Sequence, residues 1–210
     1  MRETDFDFDF DDSLSSVIII DYFECIYTYY MYVLCFPCTV LYKQAADTQN
    51  VAAYVKRMVE EHAMEQSKGS ELDSPMMVDV RLVAKLTQKI AYENKEKLQA
   101  GMIIAGWDRK RGGQVYGIPL GGSMLEAPFS VSGSGSAYIY GYLDNTYKED
   151  MTREECEEWM TNAISLAIAR DASSGGVIRL VTIHEHGCEK KCVLPKDHKV
   201  CDGELPQKMQ

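Results

Sequence analysis

A helix that runs into short polar residues and paired glycines, with a β-branched strand directly behind it, leaves the backbone few choices. Arg170-Asp171-Ala172-Ser173-Ser174-Gly175-Gly176-Val177-Ile178-Arg179-Leu180 is such a stretch. Asp171 and Ser174 are three positions apart, close enough on one turn to aim both side chains at one point. The glycines let another backbone approach closely. The plainer reading of Asp171 is an anchor for its own turn.

Around this junction the hydrophobic periodicity predicts an alternation of helix pairs and strands. Asp47 can cap a helix carrying Val51, Val55, Met58, Val59 and Ala63 on one face, ended by Ser67-Lys68-Gly69-Ser70. Asp73-Ser74-Pro75 prepares a second helix, on which Val80, Val83, Leu86 and Ile90 repeat at helical spacing and which extends to about Leu98. Strands are predicted from Met102 to Trp107 and from Gln114 to Pro119, around the turn Arg109-Lys110-Arg111-Gly112-Gly113, and a third from Ala127 to Ser132. Thr152-Arg153-Glu154-Glu155 reads as a capping box opening a helix that buries Trp159, Ala163, Leu166 and Ala167 and ends at Arg170. A strand from Val177 to His184 turns at His186-Gly187 and returns through a shorter one at Cys192-Val193-Leu194. Residues 195–210 form a polar tail, and the element order is that of an α+β fold.

A formal net charge of −10 argues against nucleic acid as a partner, since phosphate binding needs basic surface. Glu3, Asp5, Asp7, Asp9, Asp11 and Asp12 form an acidic run interleaved with phenylalanines, a solvated end or a sticky acidic tail. The seven cysteines, odd in number and irregular in spacing, and the acidic rather than basic start point to a reducing compartment. Residues 17–42 are β-branched and aromatic. From Cys25 to Tyr42 no charge occurs, which just reaches the roughly 18-residue length of a membrane span. Abundant tyrosines and Pro37 weigh against a span and favour strands, and a segment foreign to the protein would look similar.

The opening junction, Ser132-Gly133-Ser134-Gly135-Ser136-Ala137-Tyr138-Ile139-Tyr140-Gly141-Tyr142, Ile104-Ala105-Gly106-Trp107-Asp108 and Gly112-Gly113-Gln114-Val115-Tyr116 occur in that family's order and together resemble the β-type subunits of the proteasome core. Within that family the chain is most similar to the β1 type, which cuts after acidic residues. The resemblance starts at Ala45-Ala46-Asp47-Thr48-Gln49 and runs to about Leu194, dividing the chain into an acidic and tyrosine-rich segment (1–44), a family domain (45–194) and the tail. It implies an N-terminal nucleophile hydrolase: two antiparallel sheets between helical layers, here without the family's first strands. It also implies other α and β subunits as partners in a seven-membered β ring, polypeptide substrates in ATP- and ubiquitin-linked degradation, no cofactor or metal, and residence in cytoplasm and nucleus.

Ser134, Asp171 and Ser174 match the family's supporting site residues, which hold and orient the N-terminal amine of a nucleophilic threonine. That threonine uses its own α-amine as base, so nucleophile and base share one residue. Ahead of Ala45 there is no Gly-Thr-Thr start and no matching Asp or Lys, nor the basic residue of the acid-preferring pocket. Thr28, Thr39 and Thr48 lack a matching context. The expectation is therefore a truncated core subunit without peptidase activity. Its rivals are an active endopeptidase whose true start lies elsewhere, and a membrane-anchored or unstable fragment outside the proteasome.

Two other constellations are weaker. His184, His186, Cys188, Cys192, His198 and Cys201 suit zinc by type, but side chains on paired strands alternate faces, so all six cannot converge. Cys35-Phe36-Pro37-Cys38 has redox-motif spacing without the βαβ pattern that such motifs follow.

Overall fold

A computed structural model describes residues 17–23, 32–35, 38–42, 45–67, 78–185 and 187–197. Eight strands and four α-helices are found there: β1 (Val17–Phe23), β2 (Tyr32–Cys35), β3 (Cys38–Tyr42), α1 (Ala45–Ser67), α2 (Val80–Glu93), β4 (Met102–Asp108), β5 (Gly112–Ile118), β6 (Leu125–Glu126), α3 (Ser136–Thr146), α4 (Arg153–Arg170), β7 (Val177–His184) and β8 (Gly187–Val193). The strands form a three-stranded sheet ordered β1-β7-β8 and a five-stranded sheet ordered β2-β3-β4-β5-β6. Every pairing is antiparallel.

Alternation along the strands builds the layers. On β4, Met102 and Ile104 join Val51, Val55, Val59, Val80, Val83 and Ala84 of α1 and α2, together with Tyr116 and Ile118 of β5. The intervening Ala105 and Trp107 face the other way and meet Val181 and Ile183 of β7. All seven residues of β4 are consequently buried, as befits a strand covered on both faces. Beyond β7, the side chain of Thr182 reaches Glu157 of α4 (Oγ1 to Oε1, 3.3 Å), and α4 packs with α3 through Ile139, Leu143, Trp159, Ala163 and Leu166. The order is helices, sheet, sheet, helices. Each fully buried Ile, Val or Leu in these layers contributes about 1.5–3 kcal/mol.

The capping box of α4 is formed as its sequence predicts: Glu155 N donates to Thr152 Oγ1 (3.3 Å) and Thr152 N donates to Glu155 Oε2 (2.9 Å). Several boundaries differ from the sequence reading, and β5 begins at Gly112, within the stretch read as a turn. No strand spans Ala127 to Ser132. The pairing with β5 is made by Leu125–Glu126 and ends with a last bond from Ala127 N to Val115 O (3.2 Å). Pro128 comes next and has no N–H to continue a ladder. Helix α2 stops at Glu93 because Asn94 turns its side-chain amide back onto the Ile90 carbonyl (2.8 Å), and the chain reaches Leu98 as separate turns. Asp47 lies within the first turn of α1 rather than ahead of it. Strand β8 runs from Gly187, its charged centre held by ion pairs from Glu189 to Arg153 (2.5 Å) and from Lys191 to Glu157 (2.8 Å). These contacts with α4 override the poor strand propensity of Glu-Lys-Lys.

The described parts of residues 17–42 are strands, paired with β7 through β1 and with β4 through β3. No helix among the described residues is long and apolar enough to cross a membrane.

One polar residue locks the turn between β4 and β5 to α2. Asp108 is 2% exposed. Its Oδ2 accepts from Gln114 Nε2 (2.6 Å) and from Val80 N at the start of α2 (3.2 Å). Its Oδ1 accepts from Arg111 N (2.8 Å) and Lys110 N (3.0 Å). Burial works to raise the carboxyl's pKa, but these four donors outweigh it and hold it below the ordinary range. Asp108→Ala strands buried donors without a partner and should cost about 3 kcal/mol in urea unfolding. A loss under about 1 kcal/mol would show that water replaces the carboxylate there.

Candidate functional site

The junction after α4 is built by its own backbone. Asp171 N donates to Ala167 O (2.8 Å) as the last helical bond, after which Asp171 turns extended. Ser174 N donates to Asp171 O (2.9 Å), and Ser173 N donates to Asp171 Oδ1 (3.2 Å). These bonds wrap the turn around the carboxylate.

Ser134 arrives from a different part of the chain, in the turn that opens α3. Gly133 there has φ +102°, a left-handed conformation that side chains rarely adopt. Its carbonyl accepts from Ser136 N (3.3 Å) and Ser136 Oγ (2.8 Å). Gly135 lets this turn press onto the end of α4. A Cβ at that position would lie 3.1 Å from Ala167 Cβ, 3.1 Å from Ser174 Oγ and 3.5 Å from Asp171 Oδ2.

The two turns therefore meet at one carboxylate. Ser134 Oγ donates to Asp171 Oδ2 (2.7 Å), and Ser174 Oγ donates to the same oxygen (2.5 Å). All three residues singled out in the sequence thus come together, although Ser134 and Asp171 are 37 positions apart. Gly135, whose missing side chain makes the approach possible, and the amide of Ser173 complete the arrangement. Neither was among the residues picked from the sequence. The alternation of Ser and Gly from Ser132 to Ser136 was the available signal for Gly135.

Asp171 is buried, and its carboxyl is held below the ordinary carboxylate range. The bond from Ser174 contributes most, then that from Ser134; burial opposes them and the Ser173 amide assists. An ionised carboxylate with a lowered pKa is a poor general base near neutrality. What it does well is fix two hydroxyls: each serine, with its O–H engaged in donating to Asp171, presents its lone pairs to a third group. The cluster can hold and orient a donor such as an amine.

Of the other constellations, the described members of the histidine and cysteine set are spread along β7 and β8, while Cys35 and Cys38 stand opposite each other at the end of the β2–β3 ladder. Cys188 pairs opposite Ile183 and Cys192 opposite Arg179, so the two thiols are about 13 Å apart along β8. His184 Nε2 lies 3.3 Å from Glu189 Oε1. His186, His198 and Cys201 lie outside the described residues, as do Phe36 and Pro37 between Cys35 and Cys38. Among the described residues no group of three or more His, Cys, Asp or Glu is placed to hold a metal ion.

The sequence pattern of the family described as Proteasome subunit matches residues 44–183. The chain belongs to that family. Its two antiparallel sheets between helical layers are the family's N-terminal nucleophile hydrolase fold. It is 49% identical over 149 residues to Proteasome subunit beta type-6 of Dictyostelium discoideum, covering 71% of this chain and 66% of that protein. It is 45% identical over 143 residues to the beta type-6 subunit of Arabidopsis thaliana, covering 68% and 58%. With Proteasome subunit beta type-9 of Salmo salar the identity is 45% over 150 residues, covering 71% and 65%. The match thus spans 58–66% of these relatives' own length, less than two thirds of each.

The lowered pKa sets a sign for pH dependence. Asp171 contributes stability that is present above the ordinary Asp value, about 3.9, and is lost as pH falls through its own lower value. Carbon-detected NMR titration should find its carboxyl below that ordinary value, and Ser134→Ala with Ser174→Ala should move it upward. Asp171→Ala should cost about 1 kcal/mol at pH 7, as for a turn hydrogen bond, with the difference from the parent shrinking in acid. An Asp171 that titrates at the ordinary value would contradict the geometry.

Proposed function

We propose that this chain is a β1-like subunit of the proteasome core that takes its place in the β ring without cleaving peptides itself. The observation that carries the reading is the Ser134–Asp171–Ser174 cluster: a site that can hold an amine, in a chain with no Gly-Thr-Thr sequence ahead of Ala45. In the proposed role the serine hydroxyls would accept from the α-amine of a nucleophilic threonine, and Asp171 would keep them aimed. With no residue uniting nucleophile and base, the support has nothing to support.

The similarity to beta type-6 and beta type-9 subunits favours the β-type reading. On this proposal the partners are the other α and β subunits of the core, the setting is protein degradation, and the location is cytoplasm and nucleus.

The test uses fluorogenic peptides with acidic, basic or apolar residues before the cut, applied to the purified chain. No turnover above a blank is expected for any of them. Turnover that a threonine-directed inhibitor abolishes would refute the inactive reading and favour an active endopeptidase. Co-expression with the other core subunits, followed by native gel electrophoresis, should place the chain in a high-mass assembly. A chain found only free or in membranes would refute the subunit reading.

A further inference from the structure

The ladder between β2 and β3 sets two cysteines in register. Tyr32 pairs with Val40 and Val33 with Thr39, after which the register shifts between Val33 and Cys35 and Cys35 stands opposite Cys38. Had the register of Tyr32 and Val33 continued, Cys38 would stand opposite Leu34 instead. Such shifts re-aim positions along a strand. Residues directly opposite in an antiparallel ladder have Cα atoms about 4.5–5.5 Å apart. That separation is inside the roughly 4.4–6.8 Å that a disulfide spans. Cys188 and Cys192, also four-residue neighbours on the sequence, lie far outside it along β8. On its other side Cys38 pairs with Gly106 of β4, a position without a side chain. Strand β2 is the outermost of its sheet, so the cysteine pair sits at a sheet edge with no further strand beyond it.

Two features favour a bridge that opens and closes over a permanent one. Only two residues separate the cysteines, and a cross-link that restricts the unfolded chain stabilises least when its loop is shortest. The odd and irregular cysteine set suits a reducing compartment, where the disulfides that do form are transient. The spacing also sits on a hairpin rather than at the start of a helix, the place where disulfide oxidoreductases activate their thiols. The pair is therefore placed to respond to redox state rather than to oxidise other proteins.

We propose that Cys35 and Cys38 form a reversible disulfide that clasps the β2–β3 hairpin and couples the edge of the five-stranded sheet to the surrounding thiol–disulfide balance. The oxidant is a small disulfide such as that of glutathione. One cysteine thiolate attacks it, forming a mixed disulfide and releasing a glutathione thiolate. The other cysteine thiolate attacks the modified cysteine sulfur and releases the second glutathione. The oxidant's S–S bond breaks, the Cys35–Cys38 bond forms, and the two cysteine protons end on two glutathione thiols. Excess reduced glutathione runs the same exchange backwards. With the clasp closed, β2 and β3 cannot separate at that end. Because β3 pairs with β4 from Cys38 to Tyr42, closure holds the edge of β4 more firmly. The inference is independent of the proposed function.

The purified full chain carrying Cys25→Ser tests it, since its tryptic peptide of residues 3–43 then holds only Cys35 and Cys38. After treatment with glutathione disulfide and blocking with N-ethylmaleimide, mass spectrometry should find that peptide short of two hydrogens and free of maleimide. Excess reduced glutathione should restore two reactive thiols. Closure should be at least roughly tenfold faster in the native chain than in urea, because the ladder holds the pair in place. Amide exchange of residues 38–42 should be about threefold or more slower in the closed form. Adding Cys35→Ser should abolish that difference and leave a glutathione adduct at Cys38. Two glutathione adducts on the peptide, closure no faster in the native chain than in urea, or disulfide-linked dimers in place of the closed peptide would overturn the proposal. So would a closed bridge that leaves the exchange of residues 38–42 unchanged.

Discussion

Strands β4 and β7 are covered by side chains on both faces, so their backbone N–H and C=O groups can be satisfied only by strands on either side. Strand β5 serves one edge of β4 and β8 one edge of β7. The other edges are taken by β3 and β1, from the residues that precede the family match. Unpaired, each of these edges would leave buried donors and acceptors unsatisfied, at about 1–3 kcal/mol apiece. The arrangement of the two sheets, and through them the position of both helical layers, depends on that edge pairing.

The candidate site follows from the same frame. Strand β7 starts where the α4 turn releases it, and α4 is held against the three-stranded sheet by Glu157, which accepts from Arg153 (3.1 Å) and Lys191 (2.8 Å). Burial works to raise the Glu157 pKa, and the bonds from Lys191 and Arg153 outweigh it. With α4 fixed, Gly135 brings the α3 turn into contact with the helix end, and the Asp171 carboxylate closes the gap between two distant segments. A single ionised oxygen accepting two hydroxyls is enough to join them, provided no side chain occupies position 135.

Local chemistry was readable from the sequence where a residue acts on its neighbours. The Thr152–Glu155 box fixed the start of α4, and the polar turn at Asp171 fixed its end. The periodicities of Val80 to Ile90 and of Met102 to Trp107 gave α2 and β4 their types. Ser134, Asp171 and Ser174 were found through the family resemblance; their convergence could not be read from spacing, because it depends on how α3 crosses α4. The misses have tertiary causes. Strand β8 extends through Glu-Lys-Lys because α4 supplies counter-charges, and β6 is short because Pro128 ends it. Asp108 stood in a recognised motif, yet its bond to Val80 N spans 28 positions and left no local signature.

Hydrogen exchange read by mass spectrometry tests the edge pairing most directly. If β1 completes the three-stranded sheet, peptides covering Val17–Phe23 should exchange slowly and open together with those of β7. Exchange of Val17–Phe23 at unstructured rates, while β4, β5 and α4 remain protected, would contradict the account and leave the outer edge of β7 to another chain.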